Sequence, residues 1–250
     1  MMLTSAYYSF LYESGQDVSL RAGFTAELLG NKKASILEPN AGDGSLGLEL
    51  CSRGYYVTCL EDNPVLFAVM LEKFRARKEL RPYLTPLPLE IVNLMTKTNW
   101  DLVLLSNTIS FLDDYKWFCY IEKINGLLPV GGLIVLNSPQ PTPMRQEQPR
   151  TEIHKKIFGT NVIRHLASSR FLDERSMEVQ YEYETYSKNS LMAKFSSNHA
   201  LYLRSLDELA STISSMGFKL ISATAGWGRS VIESSSPNCV LIAEKVSGIS

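Results

Sequence analysis

The sequence has few cysteines and histidines and no long apolar run. Its 250 residues include four cysteines and three histidines, with no Cys-x-x-Cys pair and no metal-ligand spacing. We therefore expect no metal, and cysteines that are reduced and buried. No apolar run reaches the roughly 18 residues that a membrane span needs, and the first residues lack the features of a signal peptide. These absences predict a cytoplasmic protein with no membrane partner.

Neither sign of charge dominates the sequence. Its 25 basic and 26 acidic side chains give a formal net charge of −1, so we expect no nucleic-acid partner, which would need a basic surface. Hydrophobic residues make up 45% and charged residues 20% of the chain, which are ordinary values for a globular protein with a core. The length accommodates one α/β domain with an insertion better than two full domains.

The stretch at residues 34–50 has the pattern of a strand, a tight loop and a helix. A short apolar run ends at Glu38, and apolar residues at helical spacing resume at Leu46. Between them, Gly42 and Gly44 allow a sharp turn and let a ligand approach the backbone closely. The free N–H groups at the start of the helix point into the same space. This corner predicts a nucleotide-like ligand at the carboxyl end of a parallel sheet.

The spacing Glu38-x-Asn40-x-Gly42-x-Gly44 resembles the acid-x-Gly-x-Gly-x-Gly motif of class I S-adenosylmethionine-dependent methyltransferases. The resemblance implies that the acid and the loop receive the amino-acid end of the methyl donor. Asn40 stands where the first glycine is usual, and asparagine tolerates left-handed backbone better than most residues. The glycines also fit the dinucleotide pattern G-x-G-x-x-G, so a nicotinamide-dependent oxidoreductase is the alternative, and a turn without a ligand is another.

A second acidic position follows about twenty residues later, where such folds bind the ribose hydroxyls. The strand predicted at 55–60 ends in Glu61 and Asp62, followed by Asn63 and Pro64. A carboxylate here can accept both hydroxyls, and Glu61 matches the family position better than Asp62. The other reading is that Asp62 or Asn63 caps the next helix, with Pro64 in its first turn.

The resemblance extends to a third predicted strand, at residues 86–92. Asn93 and Leu94 follow it, where the family often has an acid or an amide that binds the adenine amino group. Asn93 can accept that hydrogen bond through its side-chain carbonyl. An asparagine after a strand is also a common turn residue.

The fourth predicted strand, at 100–105, runs into Ser106 and Asn107. This turn resembles the one that sugar and other small-molecule N-methyltransferases place beneath the methyl group of the donor. The Asn-Pro-Pro-Tyr motif of amino-group DNA methyltransferases is absent. Phe111 stands where some relatives carry a polar side chain, so we expect it to line the acceptor pocket without acting as a base.

The N-terminal segment, residues 1–30, contains Tyr7, Tyr8 and Tyr12 ahead of a helical stripe that ends at Gly30. It resembles the tyrosine-bearing helix that closes over the donor in many small-molecule methyltransferases. The resemblance implies that these tyrosines contact the substrate. The alternative is an aromatic helix packed on the sheet.

Residues 139–199 match no part of the family pattern, and we predict that they wall the acceptor pocket. A proline-dense segment precedes a helix predicted over residues 153–166. Alternating runs at 177–183 and 191–195 then predict a β-hairpin. The other reading of this hairpin is an exposed surface that forms a homodimer.

Three histidines are the candidates for a general base. His154 and His165 lie in the predicted helix, and His199 follows the hairpin. We assign His154 to the acceptor site and leave the catalytic residue unassigned, because a lone histidine is more often structural than functional.

Together these patterns predict one α/β domain over residues 1–250. The family resemblance implies a Rossmann-like seven-stranded sheet whose last strand is antiparallel, and an enzyme that uses S-adenosylmethionine to methylate a small soluble acceptor by in-line displacement, an amine ahead of a hydroxyl. The alternatives are the nicotinamide-dependent oxidoreductase and a non-catalytic binding protein that keeps the fold.

Overall fold

The structure, a computed structural model, describes residues 15–30, 33–106, 108–141, 147–233, 236 and 238–248. In chain order the elements are α1 (Gly15–Leu29), β1 (Ser35–Pro39), α2 (Ser45–Ser52), β2 (Tyr56–Leu60), α3 (Pro64–Ala76), β3 (Leu84–Leu87), β4 (Leu102–Leu105), α4 (Asp114–Leu127), β5 (Leu133–Pro139), β6 (Gln148–Phe158), β7 (Asn161–Phe171), β8 (Ser176–Ser187), β9 (Ser190–Tyr202), α5 (Leu206–Ser215), β10 (Phe218–Thr224) and β11 (Asn238–Lys245).

The larger sheet has seven strands in the order β10-β11-β5-β4-β1-β2-β3. Strand β11 is antiparallel to both of its neighbours, and the pairs among β1 to β5 are parallel. The predicted seven-stranded sheet with an antiparallel last strand is therefore confirmed. The chain order reverses between β1 and β4, and open α/β sheets bind ligands outside the carboxyl ends of the strands at such a point.

The central strands are apolar and buried on both faces, as expected for parallel strands covered by helices. Successive residues of β4 alternate between two core clusters: Leu104 packs with Met70 of α3, and Leu105 packs with Ile121 of α4. Helices α1 to α3 cover one face, and α4 and α5 cover the other. This core fixes the strand ends that carry the candidate site.

Strand β3 is shorter than the sequence predicts. It ends at Leu87, and a 3₁₀ turn over Ile91–Asn93 follows where a strand was expected. Pro86 and Pro88 have no backbone N–H to donate, so a run that contains both cannot continue as a regular strand. The end of β3 therefore lies several residues before Asn93.

The helix predicted over residues 153–166 is wrong. These residues form β6 and β7, which join β8 and β9 in a four-stranded antiparallel sheet. Their apolar residues recur at helical spacing, but Ile153 and Ile157 are exposed and do not mark a buried helical face. Strand pairing, of β6 with β7 and of β7 with β8, decides the structure here.

The hairpin predicted between the alternating runs is confirmed as β8 and β9. Its turn residues Lys188 and Asn189 have φ values of 47° and 65°. Two consecutive positive φ angles are typical of the two-residue turn whose twist suits a hairpin.

Candidate functional site

The loop after β1 has left-handed backbone at three of its residues. Asn40, Gly42 and Gly44 have φ angles of 54°, 61° and 74°. Asn40 therefore adopts at the first glycine position the backbone conformation that its side chain tolerates. The loop lies at the carboxyl end of β1, beside the point where the strand order reverses.

Glu61 joins this loop to the end of β2. Its Oε2 accepts a hydrogen bond from the backbone N–H of Gly42 at 2.8 Å, and its Oε1 accepts one from Asn63 N–H at 2.9 Å. The side chain is only 5% exposed, and burial raises the pKa of Glu61. Asp62 is exposed, and Asn63 rather than Asp62 caps α3, accepting from Val65 N–H at 2.9 Å.

Glu38 lies beneath the loop and is 4% exposed. Burial raises the pKa of Glu38 to about 7, and its Oε2 lies 3.5 Å from the sulfur of Cys59. Gly47 of α2 packs so closely here that a Cβ would lie 2.4 Å from that sulfur. The site therefore holds a carboxyl group whose ionisation is poised near neutral pH.

The raised pKa makes a prediction about stability. Between pH 4.5, the ordinary value, and about pH 7, folded Glu38 holds a proton that the unfolded chain has released, so stability falls as the pH rises across this window. The free energy of unfolding of the wild type should fall by up to about 1.4 kcal/mol per pH unit across this window, and we expect Glu38→Gln to abolish that fall. Urea unfolding at pH 5, 6, 7 and 8 measures it. Glu72→Gln, on the exposed surface of α3, is the control, and equal slopes in wild type and Glu38→Gln would contradict the prediction.

Glu90 and Tyr120 are functional candidates that the sequence analysis missed. The Tyr120 hydroxyl of α4 lies 2.8 Å from Glu90 Oε1 and 3.1 Å from Asn40 Oδ1. Glu90 precedes the 3₁₀ turn after β3, so an acid lies at or just after the carboxyl end of each of β1, β2 and β3. Asn93 is exposed at the far end of that turn. If the prolines are taken to end β3 early, Glu90 becomes the first acid after the strand and therefore the predicted site residue.

Leu94 is buried in the core, with 5% of its surface exposed. It belongs to the cluster that packs against α4. Its side chain therefore packs in the core, and its backbone is what remains to contact a ligand.

The turn after β4 is held from two directions. The Arg21 guanidinium of α1 donates to the Ser106 hydroxyl at 2.6 Å. The buried Arg204, which follows β9, donates to the carbonyls of Ile109 at 3.0 Å and Leu112 at 2.8 Å. These contacts, which the sequence analysis did not predict, attach α1 and the inserted segment to the same turn. Asn107 lies outside the described residues.

The inserted sheet meets this turn through aromatic rings. Phe111, 45% exposed, lies edge-on to His199 of β9, with 5.9 Å between the ring centroids. His199 in turn lies 5.8 Å from Tyr181, and His165 stacks on Tyr183 at 4.4 Å. Of the two histidines whose side chains are described, His199 is the one that contacts the turn after β4.

The side chains of the remaining predicted substrate residues lie outside the described part of the structure. His154 lies in β6 and pairs with His165 in the register of β7, but its side chain is not among those described. Tyr7, Tyr8 and Tyr12 precede the described residues.

The described residues contain neither a cluster of metal ligands nor a membrane-spanning helix. Across residues 15–248, apart from the gaps given above, no three His, Cys, Asp or Glu side chains come together as a metal site would require. In the same part of the chain, no helix has the length and apolar content needed to cross a membrane.

No protein-family model matches this chain, and no curated protein sequence matches it. Solved structures do match. The CcbJ methyltransferase of Streptomyces caelestis is 19% identical with a TM-score of 0.77, over 92% of this chain and 90% of that one. A sugar N-methyltransferase of a Streptoalloteichus species is 15% identical with a TM-score of 0.77, over 96% and 93%.

A third match is an amino pentose methyltransferase of Micromonospora echinaspora, solved with S-adenosylmethionine bound. It is 16% identical with a TM-score of 0.73, over 97% of this chain and 96% of that one. These alignments cover the inserted sheet as well as the seven-stranded one. This chain therefore has the fold of the S-adenosylmethionine-dependent methyltransferases, as its sequence pattern predicts.

Proposed function

We propose that this protein is an enzyme that transfers a methyl group from S-adenosylmethionine to a small soluble amine. One observation carries the proposal: the Glu61 carboxylate joins the end of β2 to the left-handed glycine loop through Gly42. That arrangement places a carboxylate that can accept two hydroxyl groups beside the glycine loop, at the switch point of the sheet.

The residues of the site fit an adenosyl ligand. Each Glu61 oxygen accepts one backbone N–H and has a second lone pair for a ribose hydroxyl. Glu90, in the segment after β3, is better placed than the exposed Asn93 to accept from the adenine amino group. Gly42 lies on the part of the loop proposed to receive the amino-acid end, whereas Gly44 packs against α3.

S-adenosylmethionine, when bound, supplies a methyl group on a positively charged sulfur that leaves readily. The chain then has to orient the acceptor and keep water out, a contribution of several kcal/mol when two reactants are aligned. Arg204 supports this role by fixing the turn after β4. Arg21 supports it by holding α1 against Ser106 at the edge of the site.

The inserted sheet is our candidate for the wall of the acceptor pocket. Its strand β9 reaches the turn after β4, where His199 contacts Phe111. The site suits an amine acceptor, because a neutral amine needs no base at the moment of methyl transfer. It is enough that one proton is removed from the amine beforehand. Two of the solved structures with this fold carry names that specify a sugar N-methyltransferase and an amino pentose methyltransferase, which supports an amine on a sugar.

We propose His199 as the proton acceptor for that amine. Partial desolvation lowers the pKa of His199, so the imidazole is neutral at pH 7 and able to take a proton. Because the proton leaves before methyl transfer, we expect His199→Gln to slow the reaction by about tenfold near pH 7, less than the loss of a base that acts in the transition state. The acidic limb of the pH–rate profile should also move to higher pH, because the amine then loses its proton to solvent alone. An unchanged rate and profile would remove His199 from the mechanism.

The test of the function follows a tritiated methyl group from S-adenosylmethionine to paired acceptors. Glucosamine and nucleotide-linked amino sugars are compared with the matching sugars that carry a hydroxyl in place of the amine. We expect label only on the amino sugars. Label only on hydroxyls would overturn the amine assignment. Donor binding without transfer to any acceptor would favour the non-catalytic binding protein instead.

The nicotinamide-dependent oxidoreductase is the weaker alternative. The antiparallel β11 and the acid Glu38 before the loop both favour the methyl donor. We also propose one domain over residues 1–250, in which residues 1–30 close the donor site and Tyr7, Tyr8 or Tyr12 contacts the acceptor. A cytoplasmic location belongs to the same proposal, and a homodimer through the inserted sheet is the alternative to its role as a pocket wall.

A further inference from the structure

The departure from the glycine motif at Asn40 has a structural partner 80 residues away. Asn40 has φ 54°, a conformation that glycine adopts freely and that other residues adopt at a cost. The Tyr120 hydroxyl lies 3.1 Å from the Asn40 side chain. Tyr120 is 1% exposed, so its position is set by the packing of α4.

The same hydroxyl also contacts the segment after β3, 2.8 Å from Glu90 Oε1. The Tyr120 hydroxyl has a single proton to donate, and it donates a hydrogen bond to Glu90, which is the closer partner and a carboxylate. The side-chain amide of Asn40 can then donate to the hydroxyl oxygen, because a half-turn of its last torsion exchanges oxygen and nitrogen. Burial and the Glu90 carboxylate raise the pKa of Tyr120, which keeps the hydroxyl protonated at neutral pH.

We propose that Tyr120 is a positioning residue that holds Asn40, and with it the glycine loop, in the conformation that binds the donor. This rests on the proposed function. Where other proteins with this motif use a glycine, this chain uses an asparagine tethered to α4. The loop is thereby ordered before the ligand arrives, and a preordered loop loses less entropy on binding.

A double-mutant cycle tests the tether, with S-adenosylmethionine and S-adenosylhomocysteine as the probes in calorimetry. Tyr120→Phe keeps the buried ring and removes only the hydroxyl, and we expect it to weaken binding about tenfold. Asn40→Gly provides the background for the second step of the cycle, because glycine adopts the required φ without a tether. In the double variant, Tyr120→Phe should then have little further effect.

A second tyrosine provides the matched control. The buried Tyr55 hydroxyl donates to the Gly30 carbonyl at 3.0 Å, just past the C-terminal end of α1. Tyr55→Phe also deletes a hydrogen bond from a buried tyrosine, and we expect it to leave donor affinity unchanged. If Tyr120→Phe weakened binding only by destabilising the fold, both tyrosine variants would have lower melting temperatures, and Asn40→Gly would not restore the donor affinity lost in Tyr120→Phe.

The outcomes separate this inference from the proposed function. Wild-type protein that binds neither adenosyl compound would reject the proposed function, and this inference with it. Wild-type binding with Tyr120→Phe equally tight would reject the inference alone. A double variant as weak as Tyr120→Phe would also reject it, because the hydroxyl would then act through Glu90 and not through Asn40.

Discussion

Glu61→Ala is expected to weaken S-adenosylmethionine binding by at least about a hundredfold. The substitution removes both oxygens proposed to accept the ribose hydroxyls, and hydrogen bonds to a charged group contribute about 1.5–3 kcal/mol each. It also releases the backbone N–H groups of Gly42 and Asn63, which Glu61 holds at 2.8 and 2.9 Å. The glycine loop thus loses its hydrogen bond to the end of β2, and the ribose loses its hydrogen-bond acceptor.

The neighbouring acid supplies the control for this prediction. Asp62 has the same charge but is exposed, so Asp62→Ala should bind the donor within about threefold of wild type. Calorimetry on both variants, with melting curves to show that each is folded, makes the comparison. If Glu61→Ala titrates like Asp62→Ala, Glu61 is not the ribose-binding acid.

Gly44→Ala is expected to destabilise the protein by about 3 kcal/mol, the sum of backbone strain and overpacking. Gly44 has φ +74°, and a Cβ there would lie 2.6 Å from Met70 and 2.8 Å from Phe74, both on α3. Either cause alone would be costly, and this position combines them. The requirement for glycine therefore comes from the packing of α2 against α3 as well as from the ligand.

Two other glycines separate the two causes. Gly54 has φ +91°, and a Cβ there would meet no neighbouring side chain or backbone within 4 Å, so Gly54→Ala should cost about 1 kcal/mol from strain alone. Gly47 has an ordinary φ but a Cβ would lie 2.4 Å from the Cys59 sulfur, so Gly47→Ala reports on overpacking. Urea unfolding measures all three. Equal costs for Gly44→Ala and Gly54→Ala would contradict the packing argument.

The glycine loop and its acid were predictable because their determinants are local. Gly42, Gly44 and the tolerance of Asn40 for left-handed backbone all follow from residue type and spacing. The preference for Glu61 over Asp62 came from the family resemblance, and their different burial agrees with it.

The partners of the loop were not predictable, because they come from distant parts of the chain. Tyr120 reaches Asn40 from α4, and Arg204 reaches the turn after β4 from beyond the inserted sheet. Glu90 was missed for a local reason, since Pro86 and Pro88 end β3 early. The inserted strands β6 and β7 were mistaken for a helix because the pairing of β6 with β7, and of β7 with β8, outweighs the spacing of their own apolar residues.

The most direct test of the central claim is calorimetric titration of the purified protein with S-adenosylmethionine, S-adenosylhomocysteine and NADH. The left-handed loop and Glu61 predict binding of both adenosyl compounds, and Glu38 and the antiparallel β11 predict no binding of NADH. Binding of NADH alone would contradict the assignment of the loop to a methyl donor and would favour the oxidoreductase. Binding of none of the three would contradict the proposal that this site receives a nucleotide-like ligand.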